Sequence, residues 1–297
     1  MNILALLQSR AKELSIQPQK VLQHYAMERF LYRLSRSPYR ERFFLKGGML
    51  LMGMGATPAR TTMDIDLLGR ISNDHGKIKE VFRQILSTKP GVQDGVSFST
   101  KLETSDIAKE AEYVGVRVSF TANVAGEPVN MKVDIGFGDE LYPEPQALLY
   151  PPTINELPGA DLLCYTRESV VAEKWQTMVR LKQINTRMKD FYDLWFLSRS
   201  YDFSMKLLQE AIFRTFQRRD TPTEQYKELF AESFYAEQQS NWTPFVNKLK
   251  ADNYRRKPPL ELPPRYFGDL MEELSQWLSP VMENAPFTTW MRKSGWK

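Results

Sequence analysis

Hydrophobic spacing changes character along the chain. From Pro18 to about Ser35 it follows a helical period: Met27, Leu31 and Leu34 fall at i, i+4 and i+7, and Leu22 and Phe30 widen the stripe. Ser37 and Pro38 end this helix. A short apolar strand, Phe43-Phe44-Leu45, follows, then Lys46, the pair Gly47-Gly48 and a predicted helix that breaks at Thr57-Pro58. Another helix is predicted from about Lys77 to Leu86. The period then drops to two. Val96 to Leu102 alternates weakly. Tyr113 to Phe120 puts Val114, Val116, Val118 and Phe120 on one face and Gly115, Arg117 and Ser119 on the other. Val129 to Phe137 alternates again, and Gly126 and Pro128 between the two runs predict a hairpin.

The segment YPEPQALLYPPTINELPG, residues 142–159, carries five prolines and marks a domain boundary. Beyond it the pattern is helical. Arg167 to Arg180 carries Val171, Trp175, Met178 and Leu181 on one stripe, a second helix covers about Lys189 to Ser200, and a last one covers about Gly268 to Leu278. Thr221-Pro222-Thr223-Glu224 has the form of a capping box with Pro at the first helical position. KPPLELPPR reads as a surface connector. The expected architecture is α+β: a mixed-sheet half over residues 1–155 with an N-terminal helix, then a helical half over residues 156–297 that completes the active-site cleft.

Composition narrows the class. The 297 residues are 42% hydrophobic and 26% charged, which suits a globular protein with a sizeable core. A net charge of +4 is mildly basic, compatible with a polyanionic partner and equally with an ordinary solvated surface. Cys164 stands alone, so no internal disulfide forms, and His24 and His75 have no zinc-ligand spacing. No apolar run approaches the roughly 20 residues of a membrane span. A cytoplasmic protein is expected.

The candidate chemistry lies in carboxylates. In an extended Asp64-Ile65-Asp66-Leu67 segment both acids share one face while Ile65 and Leu67 turn to the core. Side-by-side carboxylates repel unless a cation joins them, and Mg²⁺ takes carboxylate and phosphate oxygens. Asp134 lies on the polar face of VNMKVDIGF; if its strand neighbours that of Asp64, three acids converge, enough for two metals. A solvated strand end explains the same acids taken singly. Gly47-Gly48 lets a backbone approach a ligand, or simply makes a tight turn. Arg60 serves a triphosphate or is a surface charge. Lys174 is offset by one position from the stripe of Val171, Trp175 and Met178; Asp190 and Asp193, at i and i+3, share a helix face.

Taken in order, FFLKGGMLL, RTTMDIDLL, KVDIGFGD, AEKWQTMVR and MKDFYDLWFLSR resemble the nucleotidyltransferase-like AbiEii toxin family over residues 20–200. The resemblance implies a DNA-polymerase-β-like core. It maps Gly47 and Gly48 onto the family's glycine motif, Thr62 onto the Ser/Thr before the acids, and Asp64 and Asp66 onto the metal-binding pair. Lys174 maps onto the family lysine, and Asp190 with Asp193 onto its D-x-x-D motif. Thr177 departs from the family's small Ala, and Gly48 from the superfamily's Ser.

The implied reaction is attack of an acceptor hydroxyl on the α-phosphate of an NTP. Asp64 and Asp66 hold Mg²⁺, and Asp134 is a third ligand or a base. Lys46, Gly47, Gly48, Arg60 and Lys174 grip the triphosphate, and Asp190 orients Lys174 or serves the acceptor. The implied partners are a cognate antitoxin and an acceptor such as the 3′ end of tRNA, met by Arg218, Arg219, Arg255, Arg256 and Lys257. Two other readings stay open: a nucleotide- or partner-binding module without turnover, and an enzyme that attaches nucleotides to protein.

Overall fold

The computed structural model describes residues 1–55, 62–107, 115–253 and 261–297. The chain divides into two compact units, one of residues 1–139 with 145–164 and one of residues 140–144 with 165–297. The first unit therefore extends past the boundary expected near residue 155.

In the first unit, helices α1 (Ile3–Leu14) and α2 (Pro18–Arg36) precede strand β1 (Phe43–Lys46), helix α3 (Gly47–Gly53), strand β2 (Ile65–Gly69) and helix α4 (His75–Leu86). Strands β3 (Val96–Phe98), β4 (Glu103–Ile107), β5 (Gly115–Val124), β6 (Glu127–Gly136), β7 (Gln146–Tyr150) and β8 (Ala160–Cys164) follow. They form one mixed sheet in the order β3-β5-β6-β2-β1-β8-β7, with β4 also paired to β5. Pairing is antiparallel except for β2 with β6 and β1 with β8.

Local chemistry accounts for these elements. Asp74 caps α4 by accepting the Lys77 amide at 2.8 Å, and the helix buries Ile78, Phe82 and Ile85 at i, i+4 and i+7. The β5–β6 hairpin turns through Ala125 and Gly126, both with positive φ (51° and 100°), the pattern of a two-residue turn whose twist matches its strands. Val116, Val118 and Phe120 of β5 and Val129, Met131, Val133 and Ile135 of β6 are buried, as their alternation predicts. Phe30 of α2 packs on Phe82 and Phe120, with ring centroids 5.8 and 5.6 Å away.

The helix α2 also buries charge. Arg33 holds Asp94 through both guanidinium amines, and Tyr25 donates to the Asp94 carbonyl at 2.6 Å. Glu28 pairs with Arg29 and accepts the Thr153 amide at 2.7 Å; burial pushes its carboxyl above the ordinary value. His24 lies beside Tyr150, and burial pulls its imidazole down to about 4. The unfolded chain takes up this proton near the ordinary value of 6.5 and the folded chain only near 4, so stability falls as pH drops through that window. His24 is half-buried, so His24→Gln is expected to remove roughly 2 kcal/mol of acid destabilisation. Urea midpoints near neutral pH and near the lower bound measure it; an unchanged acid loss in the variant would exclude His24 as its source.

The second unit is mostly helical: α5 (Arg167–Leu181), α6 (Met188–Ser200), α7 (Met205–Arg218), α8 (Glu232–Asn253) and α9 (Phe267–Met282). A small sheet joins β9 (Phe203–Ser204), β10 (Thr289–Met291) and β11 (Gly295–Trp296). Trp175, Phe191, Trp242, Phe267 and Trp277 are fully buried. The expected capping box does not form. Thr221 accepts from the Gln176 side chain at 2.7 Å and donates to the Arg219 carbonyl at 3.1 Å, and a 3₁₀ stretch, Thr223–Phe230, starts after Pro222 with no side-chain cap. Among the described residues no helix is long and apolar enough to cross a membrane.

Candidate active site

The central strands align polar side chains into one row. Lys46 on β1 pairs in register with Asp66 on β2, Asp66 with Asp134 on β6, and Asp134 with Arg117 on β5. Residues opposite one another on neighbouring strands project to the same face, so Lys46, Asp66, Asp134 and Arg117 share it. The neighbours Ile65, Leu67, Val133, Ile135, Val116 and Val118 are buried on the other face. Asp64 immediately precedes β2, two residues before Asp66. Asp64, Asp66 and Asp134 are all half-buried and so reach solvent.

Each end of the row carries a cation. Arg117 clamps Asp134 with two parallel bonds, Nε to Oδ1 at 2.7 Å and Nη2 to Oδ2 at 2.8 Å. That fork, with the nearby charges of Asp64 and Asp66, raises the guanidinium above its ordinary value. Lys46, 8% exposed, reaches Asp139 at 3.2 Å and packs its ammonium over Gly136. The Thr62 hydroxyl donates to the Asp64 carbonyl at 3.0 Å and fixes the backbone leading into β2. Among the described residues this group sets four carboxylates (Asp64, Asp66, Asp134, Asp139) beside two cations (Lys46, Arg117).

Gly47 is required by this geometry. Its φ is +63°, and a Cβ built on it would lie 2.0 Å from Asp66 Oδ2 and 2.8 Å from Asp66 Cβ. The backbone at the start of α3 therefore comes against the Asp66 carboxylate at a distance only glycine allows. Gly48 is buried.

Among the described residues no three Asp, Glu, His or Cys side chains are gathered as a ready metal shell. Asp134, expected as the third ligand, is engaged on both oxygens by Arg117. The donor set still suits one hard divalent ion: Asp64 and Asp66 lie two residues apart on the solvent-reaching face, and Mg²⁺ commonly uses one or two carboxylates and completes its shell with water and phosphate oxygens.

Separately, in the helical unit, Lys174 on α5 lies between two carboxylates of α6, 2.5 Å from Asp190 and 2.7 Å from Asp193. Asp193 is 1% exposed, so this pairing is nearly dry. The Thr177 hydroxyl bonds back to the Glu173 carbonyl at 2.9 Å, one turn earlier on α5. Arg219, expected to face phosphates, is spent internally on Glu173 at 3.0 Å and Gln176 at 2.9 Å. Arg60, Arg255, Arg256 and Lys257 lie outside the described residues.

Residues 29–261 match the family model "Nucleotidyl transferase AbiEii toxin, Type IV TA system". The chain belongs to the AbiEii family. Two crystal structures from Helicobacter pylori are similar to this AbiEii chain at low identity. JHP933 is 14% identical, with a TM-score of 0.49, covering 91% of this chain and 94% of its own. A protein described as a "putative nucleotidyltransferase" is also 14% identical, with a TM-score of 0.47, covering 91% and 97%. No curated protein matches the AbiEii chain by sequence.

Strand alternation puts Arg117 on the polar face of β5 but gives it no role. Only the inter-strand register brings it to Asp134. Asp139 carried no local signal.

Proposed function

We propose that this AbiEii-family chain is an active, Mg²⁺-dependent nucleotidyltransferase that joins an acceptor hydroxyl to the α-phosphate of an NTP and releases pyrophosphate. The observation that carries the reading is the row of acids on the solvent-reaching sheet face, with Gly47 opened against Asp66. Asp64 and Asp66 would hold the ion through their carboxylates. When bound, Mg²⁺ offsets the charge that develops on the transferring phosphate and on the leaving pyrophosphate.

The chain's own groups supply the positioning. The hydroxyl of Thr62 fixes the carbonyl of Asp64, and Lys46, steadied by Asp139, adds a fixed positive charge at the edge of the row. Gly47 keeps the space beside Asp66 clear. In the reaction the acceptor oxygen forms a bond to the α-phosphorus, the bond from that phosphorus to the bridging oxygen breaks, and the acceptor proton leaves to a base. Lys174, Asp190 and Asp193 are assigned to the same activity on the family pattern. Lys174→Arg preserves the charge but exchanges a compact ammonium for a planar fork, and transfer is expected to fall about tenfold. A transfer rate measured beside a urea midpoint tests this; full activity in the variant removes Lys174 from the machinery.

The family's toxin–antitoxin setting supports a cognate antitoxin as partner and the cytoplasm as the place of action. An RNA 3′ end, such as that of tRNA, is the proposed acceptor, in keeping with a net charge of +4. The deciding experiment incubates the chain with each α-labelled NTP, Mg²⁺ and total cell extract. Label in RNA is expected. Label in protein replaces the acceptor class, and nucleotide binding without pyrophosphate release with any NTP overturns the proposal.

A further inference from the structure

Two parallel strands place Asp66 and Asp134 opposite one another, at the strand spacing of roughly 4.8 Å. Carboxylates so placed repel, and a shared metal ion is one solution. The sheet uses another for half of the pair. Both oxygens of Asp134 accept from Arg117, at 2.7 and 2.8 Å, and Asp134 is only 13% exposed. A metal ion drawing on those oxygens would have to compete with two charge-assisted hydrogen bonds.

The fork also leaves chemistry unspent. Arg117 grips Asp134 through Nε and Nη2, so the two N–H bonds of Nη1 are not used by that carboxylate. The side chain is 36% exposed, and it lies in the same row as Asp66. A guanidinium anchored on one edge and open on the other is preorganised for phosphate oxygens, because the entropy of placing it has already been met in folding.

We propose that Arg117, anchored by Asp134, is a phosphate-binding residue of this site and stands where a second divalent ion would otherwise sit, so that the chain holds a single ion on Asp64 and Asp66. This rests on the transferase reading above and names how its triphosphate is held. Asp134 is then a positioning residue, neither a metal ligand nor the base that takes the acceptor proton.

The test removes the pair together, which avoids stranding either charge. Arg117→Met/Asp134→Asn is compared with the unaltered chain and with Asp66→Asn. Mn²⁺ alone is titrated and followed by the electron paramagnetic resonance of the free ion. Each of four α,β-methylene NTP analogues is then titrated calorimetrically at saturating Mn²⁺. The unaltered chain is expected to bind one Mn²⁺, and the double variant to bind it within about threefold of the same Kd, while Asp66→Asn weakens it at least about tenfold. The double variant is expected to bind the nucleotide analogue about tenfold more weakly. Keeping the metal while weakening the nucleotide is a split that a merely structural role would not give.

Other outcomes overturn the assignment. Two Mn²⁺ per chain, or Mn²⁺ lost from the double variant as fully as from Asp66→Asn, would make Asp134 a ligand and leave the transferase reading standing. Unchanged nucleotide affinity would remove Arg117 from phosphate binding. A chain that retains no Mn²⁺ would end both this proposal and the metal-dependent reading beneath it.

Discussion

Asp66→Ala is expected to lower nucleotide transfer by at least about 10³-fold, which is about 4 kcal/mol of lost transition-state stabilisation. The size follows from position. Asp66 is the central acid of the row, opposite Lys46 on one side and Asp134 on the other, and the residue against which Gly47 is opened. One acid cannot be exchanged for another here: Asp134 is committed to Arg117 and Asp139 to Lys46. The fold should barely notice. Asp66 is half-buried and faces Asp134 across the strand pair, so its removal relieves repulsion as well as deleting contacts. The measurement pairs the rate of label incorporation with the urea midpoint. A rate within tenfold of the unaltered chain, at equal stability, would end the case for a metal on this carboxylate.

Much of this site can be read from sequence because the acids interrupt apolar alternation. Asp64 and Asp66 flank Ile65, and Asp134 sits between Val133 and Ile135, so strand period alone puts them on the face away from the core. What alternation cannot supply is register. That Arg117 meets Asp134 depends on the count of residues through the turn at Ala125 and Gly126, and that Asp66 meets Asp134 depends on a parallel pairing between strands more than sixty residues apart.

The rest of the fold was hidden for identifiable reasons. The proline-rich segment read as a boundary contains β7, bracketed by Pro145 and Pro151, which flank the strand and do not interrupt it. As the last strand of the sheet, β7 is exposed along most of its length and shows no alternation. β8 lies beyond the expected boundary yet pairs with β1, which moves the division between the units to residue 164. In α8 the buried stripe Phe234, Gln238, Trp242, Val246 has helical spacing, but Gln238 reads as polar and Pro244 as a breaker. Gln238 is buried because its side-chain amide donates to the Gln183 carbonyl at 2.8 Å, a partner the local sequence does not reveal.

Gly47→Ala is expected to reduce transfer by about 10²-fold or more, through two costs that arise at one atom. A left-handed φ of +63° is unfavourable for any residue with a Cβ, by roughly 1–2 kcal/mol. The added methyl would also lie 2.0 Å from Asp66 Oδ2 and 2.8 Å from Asp66 Cβ. Rotating the carboxylate away relieves the first contact but not the second, so β2 or the start of α3 must shift as well. Either movement displaces Asp66 from its place beside Asp134, and a displacement of about 1 Å suffices for a loss of this size. Gly48→Ala separates the two costs from a general intolerance of side chains in the turn. Gly48 has no positive φ, so Gly48→Ala does not carry the backbone cost and is expected to retain more activity than Gly47→Ala. If Gly47→Ala transfers nucleotide at the rate of Gly48→Ala, the close approach of backbone to Asp66 is not what prepares this site, and the glycine pair is only a turn.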